Sequence, residues 1–236
     1  MGLKDLILNA TGMSSDPKTA KTRLVNLVMA ALTDKKKRIR SEDAITLIST
    51  IVAERCIDLA GQYPLRDHEH VPGSRVFSEE INGILYGESA EGGLDSYPSD
   101  SVVGMLRDQL TPGTYQMADF PPVKMVLENF AAGIGKAEDW GTVPLTVPLE
   151  NRPTLVPLKF GYATRPQVDG ILNPLKVKKE ALRVSVMALS ELLKMVRGAI
   201  DPKVALLLSL EILNGMAKTA PMTERAMKGV QEKTGI

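Results

Sequence analysis

The most apolar part of the chain lies within Asp201-Pro-Lys-Val-Ala-Leu-Leu-Leu-Ser-Leu-Glu-Ile-Leu-Asn-Gly-Met-Ala217. Asp201 can accept hydrogen bonds from the free N–H groups of a first helical turn, and Pro202 loses no bond at that position, so the pair predicts a helix start. The residues that follow are apolar on nearly every side of a helix. Such a helix lies either at the centre of a domain or at a subunit interface, and the sequence leaves both alternatives open.

Helical periodicity extends over most of the chain outside this stretch. Asp16-Pro17 and Asn173-Pro174 repeat the start signal, and Gly61 is a natural terminator for a helix that begins at Ser41. The spacing of apolar residues predicts a mainly α, irregular multi-helix domain, and no linker divides residues 1–236. Predicted helices cover residues 17–32, 41–60, 78–86, 100–110, 122–132, 174–197, 202–217 and 223–233.

Residues 142–164 differ from the rest because their apolar side chains alternate with a period of two. This alternation is typical of a half-buried β-strand, and Glu150-Asn-Arg-Pro153 separates two such runs as a turn. We therefore predict a small β-hairpin that packs on the helical body. Its prolines lack backbone N–H groups and confine it to edge pairing. The alternating residues are Val143, Leu145, Val147, Leu149, Val156, Leu158, Phe160 and Tyr162.

Composition and charge narrow the class of protein. The chain has 236 residues, 44% of them hydrophobic, and its 29 basic and 28 acidic side chains give a formal net charge of +1. This composition is that of an ordinary globular protein. Most nucleic-acid-binding proteins carry a large positive net charge, and this chain does not. No apolar run reaches the roughly 20 residues that span a membrane. We expect no membrane span and no nucleic-acid partner.

Cysteine usage indicates the redox compartment. Cys56 is the only cysteine, which excludes an intrachain disulfide and a multi-cysteine metal site. Its place on the apolar side of the 41–60 helix favours an inert buried thiol over a nucleophile. The residues after Met1 have no apolar run of the length found in signal peptides. Together these features predict a cytoplasmic location.

The sharpest cluster of titratable side chains is Arg66-Asp67-His68-Glu69-His70, which contains both histidines of the chain. On extended backbone His68 and His70 point to the same side, so both can ligate one metal ion, with Asp67 or Glu69 adding a carboxylate. Alternatively, one of these carboxylates orients a histidine as a general acid or base. The sequence supplies no recognisable third metal ligand and no nucleophile. A solvated polar loop is the third interpretation, and no motif identifies a cofactor.

Two groups of basic residues allow an anion-binding interpretation. Lys35-Lys-Lys-Arg38 with Arg40 forms a basic run at a predicted helix end, where cations also complement the helix dipole. Arg152, Lys159 and Arg165 flank the predicted hairpin. Neither group has interleaved aromatic residues or a partner motif, so solvated charges are the simpler interpretation.

The functional prediction depends on the apolar C-terminal helices and on the lack of a complete catalytic constellation. We expect a cytoplasmic binding or interaction protein that self-associates as a homodimer. The alternative is a metal-dependent or acid–base enzyme that uses the His68/His70 loop, and the sequence does not decide whether the protein is an enzyme. The expected interface or apolar groove consists of Val204, Leu207, Leu208, Ile212 and Met216.

Overall fold

The computed structural model describes residues 15–34, 36, 38–61, 70–87, 94–134 and 140–228. Within these ranges the chain is mainly helical, as predicted, and no helix there has the length and apolarity needed to cross a membrane. Residues 224–228 add a further helical segment. The helices are α1 (Pro17–Leu32), α2 (Ser41–Ala60), α3 (Glu79–Tyr86), α4 (Val102–Leu110), α5 (Val123–Gly133), α6 (Pro157–Leu172), α7 (Lys178–Val196) and α8 (Pro202–Ala217).

Capping groups set several of these boundaries. The Asp16 carboxylate accepts the Thr19 N–H at 2.8 Å, and Asp201 accepts the Lys203 N–H at 2.9 Å, so two of the three start signals are confirmed. Gly61 ends α2 with a φ of 71°, in the left-handed region where a side chain is strained.

The start predicted at Asn173-Pro174 is wrong. Asn173 has helical backbone angles and donates its N–H to the Asp169 carbonyl, so it continues the end of α6 instead of capping the next helix. A short 3-10 turn, Asn173–Leu175, follows. Lys176 then takes a φ of 61°, which breaks the chain direction before α7 begins at Lys178.

The central helix of the described structure is α2. It packs against α6, α7 and α8, and α1 and α3 complete its surroundings. Every side chain from Ala44 to Ile57 is buried, including the thiol of Cys56. The apolar stripe predicted for this helix is therefore buried, except that Leu59 at its end remains partly exposed. Polar residues on the other sides of α2 are buried as well.

The apolar helix α8 packs on α2 and α5. The hydroxyl oxygens of Ser49 and Ser209 lie 3.1 Å apart where α2 and α8 meet. Nearly all of α8 after Val204 is buried within the chain, so the centre-of-domain alternative describes most of this helix. Its burial on all sides follows from its composition, because it presents apolar atoms in every direction.

The β-hairpin predicted at 142–164 is not supported by the structure, which contains no strand in the described ranges. The second half of that stretch belongs to α6. Pro157 lies in the first turn of α6, where its missing N–H forfeits no bond. The side chains that α6 buries, among them Leu158, Arg165, Val168 and Leu172, recur at helical spacing. This longer period of 3.6 overrides the short alternation that suggested a strand.

The first half of the predicted hairpin, residues 142–148, is an irregular segment that packs on α8. Its Val143 and Val147 side chains are buried. The Thr146 N–H donates to the Glu211 carboxylate at 2.9 Å, and the Thr146 hydroxyl donates to the second carboxylate oxygen at 2.5 Å. A side chain of α8 therefore satisfies the backbone group that a partner strand would have bonded.

Replacement of Gly215 by Ala tests this packing of residues 142–148 on α8. The added Cβ would lie 2.5 Å from Val143 Cγ1, so the segment and the helix have to move apart. We expect the free energy of unfolding, measured by urea denaturation, to fall by about 1–3 kcal/mol.

Gly170→Ala is the matched control, because Gly170 is exposed on α6 and its added Cβ would meet no atom within 4 Å. This substitution is expected to raise the free energy of unfolding by up to about 1 kcal/mol through helix propensity. Equal effects of the two substitutions would contradict the packing of residues 142–148 on α8.

Candidate functional site

The histidine cluster lies mostly outside the described residues. Asp67, His68 and Glu69 fall there, and only His70 is described, as an exposed residue. The metal-binding and acid–base interpretations of this loop therefore stay predictions. Elsewhere in the described ranges, no group of three or more His, Cys, Asp or Glu side chains is arranged to hold a metal ion.

The basic run has ordinary partners where it is described; Lys35 and Lys37 lie outside the described residues. Arg38 pairs with Asp34 at 3.2 Å, and Arg40 pairs with Glu42 at 3.2 Å. The thiol of Cys56 is fully enclosed in α2, and this burial raises its pKa far above the usual value. Cys56 is therefore a neutral core side chain, in agreement with the sequence-based interpretation.

The residues expected to form an interface divide into two groups. Leu208, Ile212 and Met216 are buried in the core of this chain. Val204 and Leu207 are partly exposed and pack at the margin of the same core. Only these last two retain surface for contact with a second molecule.

An open groove of about 890 Å³ lies between α3, α4 and the start of α7. Its volume falls in the range of small-molecule and peptide sites. Apolar side chains from four separate parts of the chain line it, and Val177 at its edge is 58% exposed. The apolar residues of the groove are Leu59, Ile84, Met105, Val177 and Leu182.

Acidic side chains predominate around this groove. Its charged residues are Glu80, Asp100, Asp108, Lys179, Glu180 and Arg183, four carboxylates against two cations. Lys179 pairs with Asp100 at 3.0 Å and holds the pKa of that carboxyl below its usual value. A hydrogen bond from Ser99, followed by contacts with Arg107, does the same for Asp108. Asp100 and Asp108 are therefore ionised at neutral pH, and the excess of acidic over basic side chains gives the rim of the groove a negative formal charge.

A second polar cluster lies at the end of α8, around Lys218. The residue is only 4% exposed, and its ammonium group donates to Asn214 Oδ1 at 2.6 Å. The ammonium nitrogen also lies 5.5 Å from the centroid of the Phe130 ring, within range of a cation–π contact. Arg75 lies at the same distance from that ring and donates to the Thr219 hydroxyl.

This cluster holds an amine of unusual acidity. Burial lowers the pKa of Lys218 to about 8, because the charged form loses its hydration. The Tyr86 hydroxyl donates to the same Asn214 oxygen, Oδ1, at 2.9 Å. Burial raises the pKa of Tyr86 above its usual value, so its hydroxyl keeps its proton. Lys218 is thus the group of this cluster that titrates nearest to neutral pH.

Charged side chains are also buried between α2 and α6, and these are mutually paired. Arg165 donates to both carboxylate oxygens of Glu54, at 2.5 and 3.2 Å, and to the Met222 carbonyl. Arg55 pairs with Asp169 at 3.1 Å. Arg165 is therefore an internal clamp and not the solvated charge that the sequence suggested. Arg152 and Lys159 are exposed and do not contribute to it.

No family model, curated protein or solved structure matches this chain. The groove and the Lys218 cluster are the features of the described structure with the geometry of binding sites. Sequence reasoning identified neither. The residues of the groove are scattered between positions 59 and 183, and Lys218 looks like an ordinary cation after a helix.

The depressed pKa of Lys218 predicts a distinctive pH dependence of stability. Below pH 8 the amine is charged in both the folded and the unfolded chain, and the folded state bears the full cost of the buried charge. Between pH 8 and 10.5 the folded state releases its proton first, so stability rises with pH. In Lys218→Met this contribution is absent. We expect the wild-type free energy of unfolding to gain about 2–3 kcal/mol relative to the variant between pH 7 and 10.

Urea denaturation of both proteins at each pH measures this difference. Cys56 and Tyr86 act in the opposite direction at high pH, because their ionisation favours the unfolded chain, and subtracting the variant removes their contribution. Lys159→Met removes an exposed lysine, so its free energy of unfolding should change with pH in parallel with that of the wild type. If the free energy of unfolding of Lys218→Met also changed with pH in parallel with the wild type, the lowered pKa of a buried Lys218 would be contradicted.

Proposed function

We propose that this chain is a binding protein whose groove between α3, α4 and α7 receives a short cationic amphipathic segment of a partner protein. The observation that carries the proposal is the combination of an apolar floor with an acidic rim in one open groove. Concave apolar sites with a few charged groups at fixed positions are the common form of ligand sites.

The apolar floor of the groove can contact apolar side chains of the ligand. Ile84 and Met105 come from α3 and α4, and both remain partly exposed although they pack on the core. Val177 is largely exposed beside them. An apolar side chain from a partner removes this surface from water, at about 25 cal/mol for each Å² that is buried.

The acidic rim of the groove favours a ligand with positive charge. Glu80 has no ion-pair partner among the described residues, and it lies in the first turn of α3. Asp100 pairs with Lys179, whose side chain is exposed, and such a pair exchanges readily with an incoming charge. Asp108 pairs with Arg107, which is mostly buried and also donates to two backbone carbonyls, so this carboxylate is held in place at the rim. Lysine or arginine side chains that flank an apolar anchor therefore match this groove, whereas acidic segments are repelled.

A defined peptide pair tests this proposal. The probe is a labelled twelve-residue helical peptide with Leu on one face and Lys elsewhere, and its partner has Glu in place of Lys. We expect fluorescence anisotropy to show binding of the Lys peptide alone. The double variant Glu80→Lys/Asp108→Lys should weaken that binding by about tenfold or more, because it reverses the rim charge.

The control is Glu128→Lys/Glu224→Lys, which changes the net charge equally at exposed positions that do not line the groove. It should weaken binding less than about threefold, a change of well under 1 kcal/mol. Equal weakening by both double variants would show that overall charge alone attracts the peptide. Equal binding of the Lys and Glu peptides would also defeat the proposal.

Self-association and a cytoplasmic location remain predictions beside this proposal. Val204 and Leu207 are the residues of the predicted interface that keep exposed surface. If they form a homodimer contact, light scattering at low micromolar concentration should give the mass of a dimer. Leu207→Glu should then give a monomer, because it places a charge in the contact. A monomeric wild-type protein would remove this prediction and leave the groove proposal intact.

A further inference from the structure

The end of α8 brings together a buried amide nitrogen that has no acceptor and a buried ammonium group that has no negatively charged partner among the described residues. Lys218 and Asn214 are almost completely buried, with exposed fractions of 4% and 0%. Among the described residues, no carboxylate pairs with the Lys218 ammonium group. Glu211 lies seven residues earlier on α8, about 10 Å away along the helix axis, and its carboxylate is held by Thr146.

The orientation of the Asn214 amide is determined by its neighbours. An ammonium group can only donate, so the amide oxygen Oδ1 must face Lys218. The Tyr86 hydroxyl donates to the same oxygen. The amide nitrogen Nδ2 is thereby turned away from both, and it is buried with no acceptor in the described part of the chain. An unpartnered buried donor is costly, and it lies one helical turn from an uncompensated positive charge.

We propose that Lys218 and Asn214 form a binding site for a small oxyanion, either a carboxylate or inorganic phosphate. The oxyanion accepts from Asn214 Nδ2 with one oxygen and from the free donors of the Lys218 ammonium group with another. Such a ligand supplies both missing features, the acceptor and the negative charge. A neutral acceptor would satisfy the amide and leave the charge of Lys218 uncompensated.

Among the described residues, the surroundings of the site contribute one further cation and several neutral polar groups. Arg75 approaches from the segment before α3, across the Phe130 ring from α5. Tyr86 from α3 and Cys56 from α2 are neutral, because burial raises the pKa of each. Thr219 contributes a hydroxyl that already accepts from Arg75. This site is distinct from the groove, and it stands on different residues.

Thermal unfolding in defined anions tests the proposal. The full chain is heated at pH 7 and constant ionic strength in sodium chloride, sodium acetate or sodium phosphate. A ligand that binds only the folded state raises the Tm with its concentration. We expect a saturating rise of about 3 °C or more in acetate or phosphate over chloride, and the more effective salt distinguishes a carboxylate from a phosphate ligand. Equal Tm values in all three salts would overturn the proposal.

Two variants assign the effect to these residues. Asn214→Asp places a carboxylate beside Lys218 with almost no change in shape, so it should raise the Tm in chloride and abolish the response to added anions. Lys218→Met should also abolish the response, whereas Lys159→Met, which removes one exposed lysine, should keep it. A full anion response in Lys218→Met, or a lower Tm with an unchanged response in Asn214→Asp, would overturn the site.

Discussion

The packing of α2 against α8 is the interaction on which the rest of the structure depends. Both helices are buried almost all round, so every other described helix that contacts them has to cover part of their surface. Their closest polar contact joins the hydroxyls of Ser49 and Ser209. Small side chains at this point let the two helices approach closely. The apolar area removed from water along α2 and α8 is the dominant favourable contribution to such a core.

Enclosure of α2 also imposes a constraint on its polar residues. Glu54 and Arg55 lie within the enclosed part, and a buried charge is strongly destabilising unless it is paired. Arg165 and Asp169 of α6 supply those partners. Gly161 allows the approach, because a Cβ there would lie 2.9 Å from Glu54 Oε1. The position of α6 on α2 is thus determined by charge pairing as well as by apolar contact.

The two candidate sites lie where this core meets other elements. The groove forms outside α2, between α3, α4 and the start of α7. The Lys218 cluster forms where α8 ends and the chain turns against residues 73–76, through hydrogen bonds such as that from the Val76 N–H to the Lys218 carbonyl. In both places the backbone belongs to a helix or is held by hydrogen bonds. This rigid backbone restricts the positions of the side chains that carry the proposed binding.

Local sequence was enough to predict the helical class, the starts at Asp16-Pro17 and Asp201-Pro202, the stop at Gly61 and the inert burial of Cys56, because these depend on local caps and periodicity. Two predictions from local sequence were wrong. Asn173-Pro174 was predicted to start a helix, but Asn173 lies at the end of α6. Residues 142–164 were predicted to form a hairpin from a short apolar alternation, but the second half of this stretch is part of α6. Tertiary packing was needed to establish that α8 lies between α2 and α5 within the chain, that Arg165 meets Glu54, and that Lys218 is buried. Those outcomes depend on which surfaces meet across the chain, and local sequence carries no record of that.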